Sequence, residues 1–497
     1  MIALLALLVL QDVEELHNGI RLPTPRPGPS DPPHYVKSPP AVIPIDMGRQ
    51  LFVDDFLIAE TDLKRTHHRA AWHPKSPVLK PDRPWEEAKE GGVAMAFSDG
   101  VWWDPADKLF KMWYMAGQAR HTCYATSKDG LAWEKPALDV KAGTNIVQSG
   151  PRDSSTVWLD HEAKDPKRRF WMFRSCSGGS TVKGAYGLAT FHSPDGIHWS
   201  DPPLLTGSCG DRSTVWRDPF RGVWVYSLRH GWGQPRARRY WEMKDPTSGP
   251  AWSALGEAPM WTGADALDAP REDYKVPCQL YNLDGAPYES LTLGLFTIWR
   301  GQMPDRQKPN EVCVGYSRDG WSWSRPERRA FLAVSETYGD WNYSNVQSVG
   351  GGCLVVGDEL RFYVSARSGA PKGSAAQGTC VTGLATLRRD GFVSLDGPGS
   401  IVTRPVRFSG KRLFVNLNGA LKVEVVGTPS VSKTLETDAA KAAVDLDLSP
   451  YAGKPVQLRF TLTKGSLYSF WVSADERGAS RGYVAAGGPR YSGARDD

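Results

Sequence analysis

The sequence predicts an all-β protein in which a five-bladed β-propeller is followed by a small C-terminal β-sandwich. One phrase, Val-Trp-x-Asp or a close variant, begins three apolar, aromatic strand pairs, at 101–104, 157–160 and 215–218. A second phrase, Ser-x-Asp-Gly-x-x-Trp, recurs at 127–133, 193–199 and 317–323. Convincing helical periodicity is missing, and strand-like runs alternate with turn residues. Repeats of this period indicate a ring or a stack of similar units.

The chain begins with an unbroken apolar run at residues 2–10. The run resembles the hydrophobic region of a secretory signal and is too short to span a bilayer. We therefore predict a signal peptide at 1–20, export to the periplasm or the extracellular space, and no membrane span. Residues 21–47 are dense in proline, which is typical of a semi-extended linker.

The propeller is predicted to occupy residues 48–398, because five units of about four strands each fit five blades. In the second phrase, Asp-Gly suits a tight hairpin, and the Trp that follows is placed to pack between neighbouring sheets. From 399 the phrases stop, and alternating strand patterns such as Leu421-Lys422-Val423-Glu424-Val425 continue. We assign 399–490 to the β-sandwich.

Composition excludes several functional classes. The net charge is only +5 and the 60 basic residues are scattered, so no nucleic-acid partner is expected. The seven cysteines are dispersed, with no Cys-x-x-Cys pair or Cys/His cluster, so neither a disulfide framework nor a zinc site is expected. No phosphate-binding or dinucleotide-binding fingerprint stands in a fitting context, and we expect neither a cofactor nor a specific metal.

Acidic residues precede the predicted innermost strand of each unit. In a propeller these strands begin at the mouth of the central channel, so side chains just before them converge on one pocket. Asp153 and Asp211 align closely, because Asp-x-Ser-Thr-Val-Trp-x-Asp is kept at both. The fourth unit offers Glu272 and Asp273, and we predict these four acids as catalytic. The first unit offers further acids, Glu86, Glu87 and Glu90.

A ring of carboxylates beside an arginine and aromatic side chains is suited to cleavage of a glycosidic bond. One acid must protonate the leaving oxygen, and another must act as nucleophile or activate water. Crowded carboxylates raise the pKa of one of them, which supplies the acid form. Aromatic faces stack on sugar rings, and an arginine binds a hydroxyl, carboxylate or sulfate. The residues predicted to bind the carbohydrate substrate are Asp55, Arg212, Tyr274, Glu289, Asp340, Trp341 and Tyr343.

These residues resemble those of the five-bladed propeller glycoside hydrolases, the superfamily of invertase-like (family 32) and arabinanase-like (family 43) enzymes, and in particular a family 32-like branch. The resemblance covers roughly residues 48 to 480. Besides the Asp-Gly hairpins, it rests on Leu51-Phe52-Val53-Asp54-Asp55, Pro77-Val78-Leu79-Lys80-Pro81 before Trp85-Glu86, Lys111-Met112-Trp113-Tyr114 and Leu467-Tyr468-Ser469-Phe470-Trp471.

The resemblance implies glycoside hydrolysis by acidic residues of the first blades. Of the invertase-like motifs only Arg217-Asp218-Pro219 is present; Asn-Asp-Pro-Asn and Glu-Cys are absent, so fructan specificity is not supported. Two alternatives stay open: a non-catalytic carbohydrate-binding propeller, and a glycoside phosphorylase with a basic phosphate site opposite one acid. Two carboxyl groups about 5–10 Å apart across one pocket would favour catalysis.

Overall fold

The structure is a computed structural model that describes residues 13–89, 91–231, 235–249, 252–302, 306–369 and 378–497. It is built almost entirely from β-strands, and the helical segments in the described ranges are single turns: His34–Lys37, Pro84–Glu86, Gly117–Arg120, Pro166–Arg168, Leu255–Glu257 and Ser449–Tyr451. None of the helices among these residues has the length and apolar character needed to cross a membrane.

Five antiparallel sheets form the blades, which confirms the predicted five-bladed propeller. Blade 1 contains Ala94–Met95, Val101–Asp104, Leu109–Ala116, His121–Ser127 and Ile146–Ser149. Blade 2 contains Ser155–Leu159, Phe170–Ser177, Tyr186–Ser193 and Leu204–Leu205. Blade 3 contains Thr214–Asp218, Val223–His230, Ala237–Met243 and Met260–Gly263. Blade 4 contains Gln279–Glu289, Leu291–Trp299 and Glu311–Ser317, and blade 5 contains Asn345–Gln347, Leu354–Val356, Glu359–Arg367, Cys380–Arg388 and Ala71–Trp72.

The innermost strands contact one another in sequence around the ring. Blade 1 meets blade 2 where the amide of Val157 donates to the carbonyl of Asp99 (3.3 Å). The remaining contacts are Ser154 Oγ to Asp211 O (3.1 Å), Thr214 Oγ1 to Leu283 O, Val349 N to Asp284 Oδ2 (2.9 Å) and Gly350 N to Phe97 O (3.4 Å). Because the last contact returns to blade 1, the ring closes, and the residues that make it surround a common axis.

The Ser-x-Asp-Gly-x-x-Trp phrase forms the hairpin that its residues predict. In blade 2, Gly196 N donates to Ser193 Oγ (2.9 Å), and the amides of Ile197 and His198 donate to Asp195 Oδ1 (2.8 and 2.9 Å). The hairpins of blades 1 and 4 repeat the bonds to their aspartates. Each hairpin also meets an aromatic side chain of a neighbouring blade, as where Trp113 Nε1 donates to Gly196 O (2.7 Å).

Gly196 should be intolerant of any side chain. Its φ is +79°, and a Cβ there would lie 2.4 Å from Trp113. Gly143 is a matched control with a φ of +74° and nothing within 4 Å of its would-be Cβ. We expect Gly196→Ala to lower the free energy of unfolding by about 2–4 kcal/mol, of which only the backbone part, about 1–2 kcal/mol, appears in Gly143→Ala. Guanidinium unfolding of both variants measures the difference, and equal losses would contradict the proposed blade contact.

The C-terminal region forms an eight-stranded sheet with its own apolar core. Its strands are Gln50–Leu51, Ile58–Thr61, Lys64–His67, Val393–Asp396, Gly399–Thr403, Arg412–Val425, Leu435–Asp447 and Leu458–Ser473. The three strands before residue 68 and the strand Val393–Asp396 thus belong to this sheet, whereas the sequence placed them within the propeller boundaries 48–398. The division into a propeller and a sandwich at 399 stays a prediction.

Two terminal segments pack against the propeller. Before the C-terminus, Tyr483–Val484 pairs with the last residues of Gln279–Glu289, Trp103 N donates to Ala486 O (3.0 Å) and Val355 N to Gly487 O (2.9 Å). This segment therefore crosses the ends of three innermost strands opposite the predicted mouth. Near the N-terminus, Asn18 lies within the predicted signal peptide 1–20. Its Nδ2 donates to the carbonyl of Arg318 in the hairpin of blade 4 (2.8 Å). Residues 1–12, on which the signal prediction chiefly rests, lie outside the described residues.

Candidate functional site

The structure brings Asp153 and Asp211 together at the mouth of the central channel. Each aspartate lies two or three residues before an innermost strand, Ser155–Leu159 of blade 2 and Thr214–Asp218 of blade 3. Ser154 Oγ donates to the carbonyls of both Asp211 and Ser213 (3.1 Å each), so the two chain segments run side by side. Their side chains are 32% and 30% exposed, which leaves both carboxylates accessible to a ligand.

The two carboxylates have different electrostatic surroundings. Asp153 Oδ1 accepts from the amide of Ser154 (2.8 Å) and lies 3.6 Å from Arg212 Nη1. Desolvation by the surrounding protein raises the pKa of Asp153, and the neighbouring charge of Asp211 raises it further against the opposing effect of Arg212. Asp211 instead forms an ion pair with Arg229, with 3.1 Å between Oδ1 and Nη1.

A tyrosine on the third strand of blade 2 is affected by the charges of the same pair. Tyr186 begins the strand Tyr186–Ser193 and is half-buried. Burial raises the pKa of its phenol, and the charges of Asp153 and Asp211 raise it further. The phenol is therefore neutral and able to donate a hydrogen bond.

A buried salt bridge lies beneath the pair. Arg152 donates to both oxygens of Asp99 (2.9 and 2.7 Å) and to Thr122 Oγ1 (2.8 Å). Asp99 and Arg152 are 0% and 3% exposed. Burial raises the pKa of Asp99, and the Arg152 charge opposes that rise. Because the Arg152 Nε also donates to the carbonyl of Asp153 (3.0 Å), this bridge fixes the backbone that carries the candidate acid.

Sequence reasoning missed Asp99. Asp153 and Asp211 lie four residues before their Val-Trp phrases, whereas the glutamates predicted for blade 1 lie 11 to 15 residues before Val101. In blade 1 the innermost strand is interrupted between Met95 and Val101, where Phe97 has a φ of +53°. The interruption places Asp99 only two residues before the phrase. The Ser98-Asp99-Gly100 turn signal before Val101 was the available clue.

The glutamates that were considered for blade 1 do not take that place. Glu86 is fully buried, accepts from Tyr114 Oη (2.8 Å) and pairs with Lys135 Nζ (2.7 Å), which are contacts of a structural carboxylate. Glu87 is exposed, and Glu90 lies outside the described residues.

Blades 4 and 5 add polar side chains at the same end of the innermost strands, and we call this group of residues the polar floor. Arg212 Nη2 donates to Ser348 Oγ (2.6 Å), and Asn282 Nδ2 donates to Asp284 Oδ2 (2.7 Å). Burial raises the pKa of Asp284. Ser348 has a φ of +62°, a conformation that non-glycine residues seldom adopt and that often accompanies functional sites. All five blades therefore contribute to one polar floor.

Arginines dominate the positive charge of this floor. The Arg212 guanidinium lies 3.9 Å from the centroid of the Phe97 ring and 5.4 Å from that of Tyr281. Arg238 is fully buried and donates through Nη1 to the carbonyl of Arg212 (2.5 Å). Burial lowers the pKa of Arg238 to about 9, with further lowering by Arg212 and Arg229. The like charges thus repel one another in a poorly solvated place.

The structure places Glu272, Asp273, Tyr274, Asp340 and Tyr343 in the loops that lead into blades 4 and 5. Glu272, Asp273 and Asp340 are exposed, and Tyr274 is buried with its hydroxyl donating to Arg306 O (3.2 Å). A surface network joins this group, because Arg271 donates to Asp273 (2.9 and 3.0 Å) and to Glu336 (2.9 and 3.1 Å). Arg306 also contacts Glu336 and lies 4.3 Å from the Tyr343 ring centroid. The carboxylates of Asp273 and Glu336 therefore bond arginines at the surface, and a catalytic role of Glu272 and Asp273 stays a prediction.

Three other predicted binding residues lie away from the mouth. Trp341 packs edge-on against Trp72 of the outer strand of blade 5, with ring centroids 5.0 Å apart. Asp55 is exposed and pairs with Arg65 (2.5 Å) beside the C-terminal sheet. Glu289 ends the innermost strand of blade 4, eight residues beyond Tyr281, which is roughly 26 Å along an extended strand. There it bonds Arg389 and Ser480 in a fully buried network, so its contacts are structural.

Arg217-Asp218-Pro219 also lies at the opposite end of its strand from the mouth. Asp218 is the last residue of Thr214–Asp218 and accepts from the amide of Phe220 (3.0 Å). Burial raises the pKa of Asp218 to about 6. Within the described ranges, no group of three or more His, Cys, Asp or Glu side chains is arranged to hold a metal ion.

Comparison with known proteins gives similarity of fold alone. No family model matches the chain, and no curated protein sequence matches it. Among solved structures it is similar to a thermostable family-43 glycoside hydrolase, with 13% identity and a TM-score of 0.42, covering 62% of this chain and 95% of that one. A GH62 α-L-arabinofuranosidase catalytic domain from Coprinopsis cinerea gives 11% identity and a TM-score of 0.41, covering 64% and 97%.

An N-acetylgalactosamine deacetylase from F. plautii, in complex with blood group B trisaccharide, gives 13% identity and a TM-score of 0.41, covering 70% of this chain and 97% of that chain. The strand order of the chain itself gives the five-bladed propeller, and the solved structures similar to it include glycoside hydrolases of families 43 and 62.

Proposed function

We propose that the protein is a glycoside hydrolase that cleaves an oligo- or polysaccharide in the central pocket of the propeller, with Asp153 and Asp211 as the reacting carboxyl groups. The observation that carries this proposal is their pairing at the mouth, each side chain about one-third exposed. Glycosidic cleavage needs one carboxyl group that is protonated and one that is ionised. The different surroundings of these two aspartates supply such a division.

In this proposal Asp153 is the proton donor and Asp211 is the nucleophile or the base that activates water. The raised pKa of Asp153 favours its acid form. Asp211 is ion-paired with Arg229, and its side chain is about one-third exposed. Arg152 and Asp99 are positioning residues, since Arg152 donates to the carbonyl of Asp153 and the Asp99 carboxylate holds Arg152 in place. Tyr186 and Arg212 are proposed to contact the sugar beside the scissile bond.

The pH dependence of kcat/KM should follow the Asp153 carboxyl. A proton donor works only while it is protonated, so activity should fall as pH rises through its raised pKa. Arg212 lowers that pKa, and Arg212→Gln should therefore move the alkaline limb of the profile to higher pH, even if activity itself drops. A pH profile of the variant on a soluble aryl glycoside measures the shift, and movement to lower pH would contradict the assignment of Asp153.

One observation favours a second candidate, a non-catalytic carbohydrate-binding propeller. Each carboxylate of the pair already has an arginine within 3.6 Å or less, which suits a pocket that binds hydroxyls without reacting. The same arginines keep the phosphorylase alternative open, because inorganic phosphate is a fitting partner for them. Export to the periplasm or beyond is proposed on the apolar run at 2–10 alone.

The deciding experiment is a screen of the purified protein on aryl glycosides and on plant and algal polysaccharides. Release of reducing ends or aglycone by the wild type, lost in Asp153→Asn, supports hydrolysis. Saturable binding of a glycan by both proteins, with no product from either, supports the binding alternative. Product release that requires inorganic phosphate and yields a sugar phosphate supports phosphorolysis.

A further inference from the structure

A second feature of the pocket lies beside the aspartate pair: a tyrosine ring framed by three cationic side chains. Tyr281 is half-buried near the start of the innermost strand of blade 4. Around its ring centroid lie the guanidinium groups of Arg236 (5.2 Å) and Arg212 (5.4 Å) and the ammonium group of Lys308 (5.9 Å). We call these four residues the Tyr281 subsite.

The three cationic side chains of the subsite have fewer carboxylate partners than positive charges. Arg236 donates to a neutral partner, Gln279 Oε1 (2.9 Å). Among the residues that the structure describes, neither Arg236 nor Lys308 forms an ion pair with a carboxylate. Arg212 has Asp153 at 3.6 Å, yet its buried Nε and Nη1 make no hydrogen bond in the described part of the chain. Like charges gathered in a partly desolvated site attract an anion.

We propose that the Tyr281 subsite binds a sugar residue carrying a carboxylate or sulfate group, so that the substrate is an acidic oligo- or polysaccharide. The inference rests on the proposed carbohydrate function and names its substrate class. The anionic group of the sugar lies between the half-buried Arg236 and Lys308, beside the Tyr281 ring. Arg212 joins this subsite to the reacting pair, because it touches both Tyr281 and Asp153.

The test compares glycans that differ only in charge. Asp153→Asn protein, which prevents turnover, is titrated calorimetrically with oligogalacturonate and with its neutral methyl ester of equal length. A sulfated algal galactan oligosaccharide and its desulfated form make a second pair, which separates carboxylate from sulfate recognition. We expect one acidic form to bind at least about tenfold tighter than its neutral partner, with an advantage that shrinks as salt is added.

Substitutions then locate the effect. Arg236→Gln and Lys308→Gln should each weaken binding of the acidic form about tenfold and leave the neutral form nearly unaffected. The matched control removes the same charges from exposed positions of the C-terminal sheet and its flank, Arg407→Gln with Lys422→Gln, and should change neither. Thermal melting checks that each variant is folded.

Several outcomes overturn the inference: equal binding of charged and neutral forms, no measurable binding of either acidic form at millimolar concentration, or equal losses in the matched control. Competition by inorganic phosphate that also yields sugar phosphates would reassign the cluster to phosphorolysis. Cleavage of a neutral glycan only would refute the subsite and leave the hydrolase proposal intact. Charge-dependent binding of an acidic glycan that the wild type never cleaves would support the subsite and refute the hydrolase proposal.

Discussion

Asp153→Asn is expected to lower kcat on an unactivated glycoside by about a thousandfold, because an amide cannot protonate the departing oxygen. The loss should be far smaller on a dinitrophenyl glycoside, whose leaving group departs without a proton. Asp211→Asn should be equally inactive on both substrates, since either a nucleophile or a base is needed whatever the leaving group. Initial rates on the two substrates therefore separate the two roles.

A control variant and two possible outcomes test the roles assigned to Asp153 and Asp211. Asp445→Asn is the matched control, because that aspartate is 71% exposed and pairs with Lys433 on the surface, and its rates should equal those of the wild type. If Asp153→Asn loses as much activity on the activated substrate as on the unactivated one, Asp153 is not the proton donor. If both variants keep full activity, the reaction occurs elsewhere. The site assignment is then wrong, and the fold assignment is unaffected.

The propeller was predictable because its repeats are local. The Asp-Gly hairpin is specified by a seven-residue phrase whose hydrogen bonds join residues two or three apart, as between Asp195 and Ile197. The Trp that follows needs only the next blade to pack against. Such features survive in the sequence wherever the blade is repeated.

Half of the pocket was predictable for the same reason. Asp153 and Asp211 occupy equal positions in two copies of one phrase, so alignment alone places them on equivalent strands. Asp99 and Asp284 were not found, because bulges at Phe97 and near Tyr281 shift the register of their strands. A one-residue shift turns a side chain to the other face of a strand. The sequence spacing between an acid and the repeated phrase does not reveal such a shift.

Strand length explains the different position of Glu289. The innermost strand of blade 4 runs from Gln279 to Glu289, whereas those of blades 2 and 3 have only five residues. An acid that follows a tyrosine at the end of so long a strand reaches the far side of the propeller. Its length was not visible in the sequence, because Leu291–Trp299 continues the same apolar pattern after a single turn residue.

Glu289→Ala is expected to cost roughly 3–5 kcal/mol of unfolding free energy, the loss seen when one partner of a buried ion pair is removed. The Glu289 carboxylate accepts from Arg389 Nη2 (2.8 Å) and Ser480 Oγ (2.7 Å) and lies 3.5 Å from Arg49 Nε. Arg49 and Glu289 are 1% and 0% exposed, so water cannot replace the lost contacts. The network joins blade 4 to the C-terminal sheet, since Arg49 also bonds Asp390 (2.9 Å).

Guanidinium unfolding followed by tryptophan fluorescence measures this loss. Glu424→Ala is the matched control, because Glu424 also pairs with an arginine, Arg459, but is 37% exposed, and such pairs contribute only about 0–1 kcal/mol. The kinetics of the variant distinguish a structural role of Glu289 from the predicted substrate-binding role. If it is structural, the folded variant keeps the wild-type KM, because its carboxylate is at the opposite end of the strand from the pocket. A raised KM in a variant with wild-type stability would instead indicate that Glu289 contacts the substrate.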